Sequence, residues 1–68
     1  MSNAKLALQM DEMKCALQEI VSERQGYESD RSDRWHESER GQAYVSVTEA
    51  IEAAADTLED AISQLEAS

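Results

Sequence analysis

The sequence predicts an all-α protein: an antiparallel two-helix hairpin that self-associates into a four-helix bundle or a larger helical oligomer. Three observations predict it. Two long segments repeat apolar side chains at helical spacing, and a polar connection without proline joins them. The chain is also only 68 residues long with a single cysteine, Cys15, so no internal disulfide can staple a small core. Residues 1–68 read as one domain: helix 1 over about 4–28, a turn over about 29–38 and helix 2 over about 39–66.

In the first segment Leu6, Met10, Met13, Leu17 and Ile20 alternate steps of four and three, the spacing of a helix seam, and Arg24 and Tyr27 continue that register. Ser2 or Asn3 can cap the start, and the Ala, Leu, Gln, Met, Lys and Glu that follow have good helix propensity. Gly26 weakens the last turns. Leu8 and Cys15 lie seven apart on the opposite side of the helix, a second and narrower apolar contact.

The connection is rich in Ser and Asp and reads as a turn holding a short helical piece begun by Ser32. Ser38 then caps helix 2, with Glu39 well placed in its first turn and Gly41 softening its beginning. Along helix 2, Tyr44, Ile51, Leu58 and Leu65 recur at intervals of seven. Val47, Ala54 and Ala61 flank them on one side, and Thr48, Ala55 and Ile62 on the other. Such a wide stripe suits a helix that touches more than one neighbour, and its alanines allow backbones to approach closely. Glu49, Glu52, Asp56, Glu59 and Glu66 remain for the outer surface. The β-branched residues at 45, 47 and 48 fall inside this helical period, so no strand is expected.

Leu6, Met10, Met13, Leu17, Ile20, Val47, Ile51, Leu58, Ile62 and Leu65 are the expected oligomer interface. Their burial within one hairpin offsets only part of the cost of ordering the chain, so a homodimer is the smallest assembly expected, with a tetramer or hexamer as larger alternatives.

The formal net charge is -9. Residues 1–23 carry two lysines against four acids, residues 24–40 four arginines against five, and residues 41–68 six acids alone. This balance argues against direct nucleic-acid binding, which needs clustered positive charge. No apolar run approaches the roughly 20 residues that cross a bilayer, and the first residues do not read as a secretory signal, so a cytoplasmic protein without membrane contact is expected.

Every arginine falls in the middle segment, which leaves room for a local anion site built from Arg31, Arg34, Trp35, His36, Arg40 and Tyr44. Guanidinium groups hold phosphates in bidentate fashion, and aromatic rings stack on bases. The alternative is that Trp35 plugs the open end of the hairpin while the arginines pair with neighbouring acids. His36 with Glu37 and Glu39 lacks the further ligands a metal site needs, so neither a metal nor a cofactor is expected. Cys15 and His36 come with no orienting third group, and the adjacent acids Asp11-Glu12 and Glu59-Asp60 do not face each other across a cleft, so no enzyme is expected. Helix 2 also presents carboxylates at regular spacing, as an acidic nucleic-acid mimic filling a basic groove would, with plain solubility as the simpler explanation.

The stretch Arg31-Ser32-Asp33-Arg34-Trp35-His36-Glu37-Ser38-Glu39-Arg40-Gly41, followed by Tyr44 and an Ala/Glu/Leu helix, resembles short helical-hairpin proteins of bacteriophages and prophages. The likeness covers about the second half of the chain. It implies a two-helix architecture and a phage origin, and carries over no catalytic or binding residue. By analogy with small phage proteins, the expected function is a non-enzymatic oligomeric interaction module. It would be a counter-defence factor that binds or sequesters a host protein or an anionic, nucleotide-like ligand through the Arg/Trp turn. A purely structural oligomerisation hairpin is the remaining alternative.

Overall fold

A computed structural model of the chain describes residues 2–67; the two end residues of the expected 1–68 domain lie outside that description. The element order is α1 (Asn3–Ser29), α2 (Asp33–Glu37) and α3 (Glu39–Ala67), with α1 and α3 packed side by side as a hairpin 49 Å long and 15 Å across in both other directions. Both long helices and the short piece between them stand where their periodicity and caps place them.

Each boundary has a local cause. The Ser2 side chain accepts the Lys5 amide at 3.2 Å and starts α1, satisfying one of the donors that a helix N-terminus leaves open. α1 runs through Gly26 to Ser29, where the amide of its C-cap, Asp30, returns to the Tyr27 carbonyl at 3.2 Å and the Arg31 amide to the Glu28 carbonyl at 3.1 Å. Ser32 accepts the Trp35 amide at 3.2 Å and starts α2. Ser38 serves two elements: its hydroxyl donates to the Trp35 carbonyl at 2.6 Å and accepts the Gly41 amide at 3.0 Å. One residue thereby closes α2 and caps α3.

Gly41 does more than soften the start of α3. It is buried, and a Cβ at this position would fall on the Trp35 carbonyl group and press on the indole. The close approach of α2 to the first turn of α3 therefore requires glycine here.

The seam of α1 differs from the periodicity reading. The column Met10, Leu17, Arg24 does face α3, but its companion column is Ala7, Lys14, Val21, Glu28 and not Leu6, Met13, Ile20, Tyr27. On α3 the most buried column is Gly41, Thr48, Ala55, Ile62, with Tyr44, Ile51, Leu58 and Leu65 half-buried beside it. The helices thus meet largely on small residues: Ala55 is 2% exposed, Thr48 3%, and Val21 and Ile62 8% each. Small side chains at the closest approach bring the backbones together and turn the larger α1 residues aside. Leu6, Met13, Ile20 and Tyr27 consequently stand exposed, together with Leu8 and Val47.

Candidate functional site

The loop end of the hairpin is held by an aromatic cluster that no single element could form. Tyr27 comes from the last turn of α1, Trp35 from α2 and Tyr44 from α3. Their ring centroids lie 5.0 Å (Tyr27–Tyr44), 5.6 Å (Trp35–Tyr44) and 5.9 Å (Tyr27–Trp35) apart, with the two Trp35 contacts edge-to-face. This geometry suits the ring quadrupoles and adds to the apolar area each ring buries. Arg31 lies over the outer face of this cluster, its guanidinium carbon 4.4 Å from the Tyr27 centroid.

Beneath the rings sits a polar group that the sequence reading did not single out. Arg24 donates from Nε to the Thr48 hydroxyl at 2.7 Å and from Nη2 to the Tyr44 carbonyl at 3.0 Å, and its guanidinium carbon stands 3.8 Å over the Tyr44 ring. The Thr48 hydroxyl, having accepted from Arg24, donates its one proton; the Glu28 carboxylate at 2.7 Å is the stronger acceptor than the Tyr44 carbonyl at 3.2 Å. Arg24 and Glu28 thus balance each other through Thr48. Among the described residues no buried side-chain nitrogen or oxygen lacks a partner. The sequence held a signal for this group: Arg24 and Thr48 are polar residues on core columns of antiparallel helices, at matching heights.

The six residues expected at the turn now divide. Trp35 and Tyr44 are half-buried members of the cluster, and Trp35 also abuts the His36 ring at 5.0 Å. Arg31 is spent on Tyr27. Arg34, His36 and Arg40 are exposed, and the two arginines form no ion pair among the described residues. The plug reading therefore describes Trp35, while the expectation that the arginines pair with neighbouring acids does not describe Arg34 and Arg40. Elsewhere, Lys14 binds Asp11 at 3.1 Å, and the hydrogen bond and charge of that carboxylate raise its pKa above the ordinary lysine value.

The second feature is an apolar face. In helical projection, Leu6, Met13, Ile20 and Tyr27 lie one column away from Met10, Leu17 and Arg24, and Val47, Ala54 and Ala61 lie one column to the same side of Tyr44, Ile51 and Leu58. In an antiparallel pair both displaced columns fall on the same side of the hairpin. Opposite them, Gln18 and Gln25 of α1 share a shallow groove with Glu52 and Asp56 of α3, as that projection requires. The next α3 column on the apolar side is Ala43, Ala50, Thr57 and Gln64, also without charge. All seven acids of α3 lie on the rest of its circumference. Met13 is 52% exposed, Ile20 42% and Val47 50%.

Among the described residues no three His, Cys, Asp or Glu side chains are grouped to hold a metal ion, and no helix is long and apolar enough to cross a membrane. Comparison with protein-family models, with curated proteins and with solved structures finds no match.

Proposed function

We propose that the chain is a non-enzymatic helical interaction module that pairs with a second copy through its apolar face and offers the exposed Arg34, His36 and Arg40 of its turn to an anionic, nucleotide-like ligand or a host protein. The observation that carries this reading is the uncharged face of Leu6, Met13, Ile20, Val47, Ala54 and Ala61, which a lone hairpin leaves largely in water. Contiguous apolar surface rimmed by polar residues marks an interaction site, and an antiparallel hairpin completed by another makes a four-helix bundle. The likeness of residues 31–41 to phage hairpins gives the reading its setting, that of a counter-defence factor in the host cytoplasm.

Replacing Met13 and Ile20 together by Glu tests the assembly. Both side chains are about half exposed in the hairpin, so the substitutions disturb little within one chain, and the variant is expected to sediment as a monomer with lower helicity than the assembled parent. An unchanged assembly would remove the face from the proposal. The turn is tested by Arg34→Ala with Arg40→Ala, two positions outside the aromatic packing, in calorimetric titrations with mono- and dinucleotides. A loss of about tenfold or more, the size of one or two charge-assisted hydrogen bonds, is expected. Equal binding by the variant and its parent would exclude these residues.

A second reading is favoured by the one-sided placement of the α3 acids. Glu52, Asp56 and Glu59 lie away from the apolar face, as an acidic mimic of nucleic acid docking into a basic groove would have them. Neutralising those three residues would then abolish partner capture, with strong salt sensitivity, while the Arg34/Arg40 variant retained it.

A further inference from the structure

Resting on the proposed self-association, we infer that the second copy seats face to face with its turn at the same end of the bundle, so that each α1 lies against the partner copy's α3 and the two arginine-bearing turns adjoin. Two twofold arrangements bring the apolar faces together. With the axis along the helices, α1 covers α3 of the other copy and both turns share one end. With the axis across them, α1 covers α1, α3 covers α3, and the turns stand at opposite ends.

Side-chain size separates the two. The α1 column is large throughout (Leu6, Met13, Ile20, Tyr27), whereas the α3 side of the face is mostly small (Ala43, Val47, Ala50, Ala54, Thr57, Ala61), with Gln64 at its far end. Laying α1 on α1 would set large residues against large and alanines against alanines, opening one side of the bundle while leaving the other underfilled. Laying α1 on α3 sets large against small along most of the face, the arrangement that fills a core at native density.

Heights along the bundle agree. The Arg24–Thr48 bond places residues 24 and 48 level, and the Tyr27–Tyr44 contact is consistent with that register. A copy related by the axial twofold keeps the same heights. Ala61 then falls between Leu6 and Met13, Ala54 between Met13 and Ile20, and Val47 between Ile20 and Tyr27, so the larger side chains enter the gaps beside the smaller ones. Arg40 continues the Val47, Ala54 and Ala61 column, and across the interface it comes within a turn in height of Asp30, on the α1 column next to Leu6, Met13, Ile20 and Tyr27, opposite charges with no ion pair to each other inside the hairpin. A face 49 Å by 15 Å presents on the order of 700 Å² per copy, close to the roughly 800 Å² per partner of a standard stable interface.

One consequence concerns the ligand. Two turns at one end bring two copies each of Arg34 and Arg40 together, so an anion bound there would be held by both chains.

The test is a distance between copies. In a Cys15→Ser background, Glu37→Cys carries a nitroxide on the exposed surface of α2, and a second variant, Ala4→Cys, carries one at the far end. Pulsed dipolar spectroscopy on each labelled homodimer should give separations comparable with the 15 Å breadth of the hairpin, extended by the label arms, for both positions. Separations approaching the 49 Å length at both positions, in a species of dimeric mass, would overturn the arrangement and leave self-association standing. A monomeric mass with no dipolar signal would overturn both.

Discussion

Thr48 and Gly41 decide how the turn end is built. Thr48 hydrogen-bonds both Arg24 and Glu28, accepting from one and donating to the other. Thr48→Val keeps the shape and removes the hydroxyl, leaving charged groups at a part-buried site without their link. We expect a loss of about 1–3 kcal/mol in chemical denaturation. A loss within error of zero would mean that water replaces the hydroxyl. The two glycines make a sharper contrast. Gly26 sits in the exposed interior of α1 with open space around its Cα, so Gly26→Ala should stabilise by about 0.5–1 kcal/mol through helix propensity. Gly41→Ala must displace the Trp35 backbone and should destabilise by about 1–3 kcal/mol, as overpacking does. The same substitution thus carries opposite signs at two helical positions, and melting curves of both variants check it. None of this contrast was visible in the sequence, where both glycines read as weak points of helices. The difference is made by a neighbour distant in the local pattern.

The helices themselves were legible, and the reasons are local. Ser2, Ser32 and Ser38 all cap, and the seven-residue repeats of Tyr44, Ile51, Leu58 and Leu65 mark α3 from end to end. The short helix begun by Ser32 was equally readable. The rotation of α1 was not. Periodicity picks out the most apolar column, and in α1 that column is Leu6, Met13, Ile20 and Tyr27, yet the hairpin buries Val21 and half-buries Ala7, Lys14 and Glu28 of its column beside Met10, Leu17 and Arg24. A helix with two apolar neighbours distributes its columns between them, and the pattern alone does not say which neighbour lies in the same chain. Smallness was the missing clue: Ala7 on α1 and Gly41, Thr48 and Ala55 on α3 favour close approach, while the larger column of α1 stands exposed. At the turn, the structure packs Trp35 and Tyr44 into the aromatic cluster and leaves Arg34, His36 and Arg40 exposed.

For the molecule as a whole, the hairpin is amphipathic in the way a single helix usually is. One broad side carries Leu6, Met13, Ile20, Val47, Ala54 and Ala61, and the opposite side carries Gln18, Gln25, Glu52 and Asp56. Among the described residues the buried apolar side chains are Val21, Ala55 and Ile62, a small core for a domain of this length. Under the proposed pairing, two copies would bring the half-buried columns Met10, Leu17, Ile51, Leu58 and Leu65 into the centre of a four-helix bundle and so join the stability of the fold to its assembly. The most direct test is the solution mass of the unmodified chain by light scattering over a dilution series, read beside its helical circular dichroism. The account predicts at least twice the 7.6 kDa chain mass, with helicity falling as the assembly dissociates on dilution. A fully helical monomer of 7.6 kDa at every concentration would contradict it.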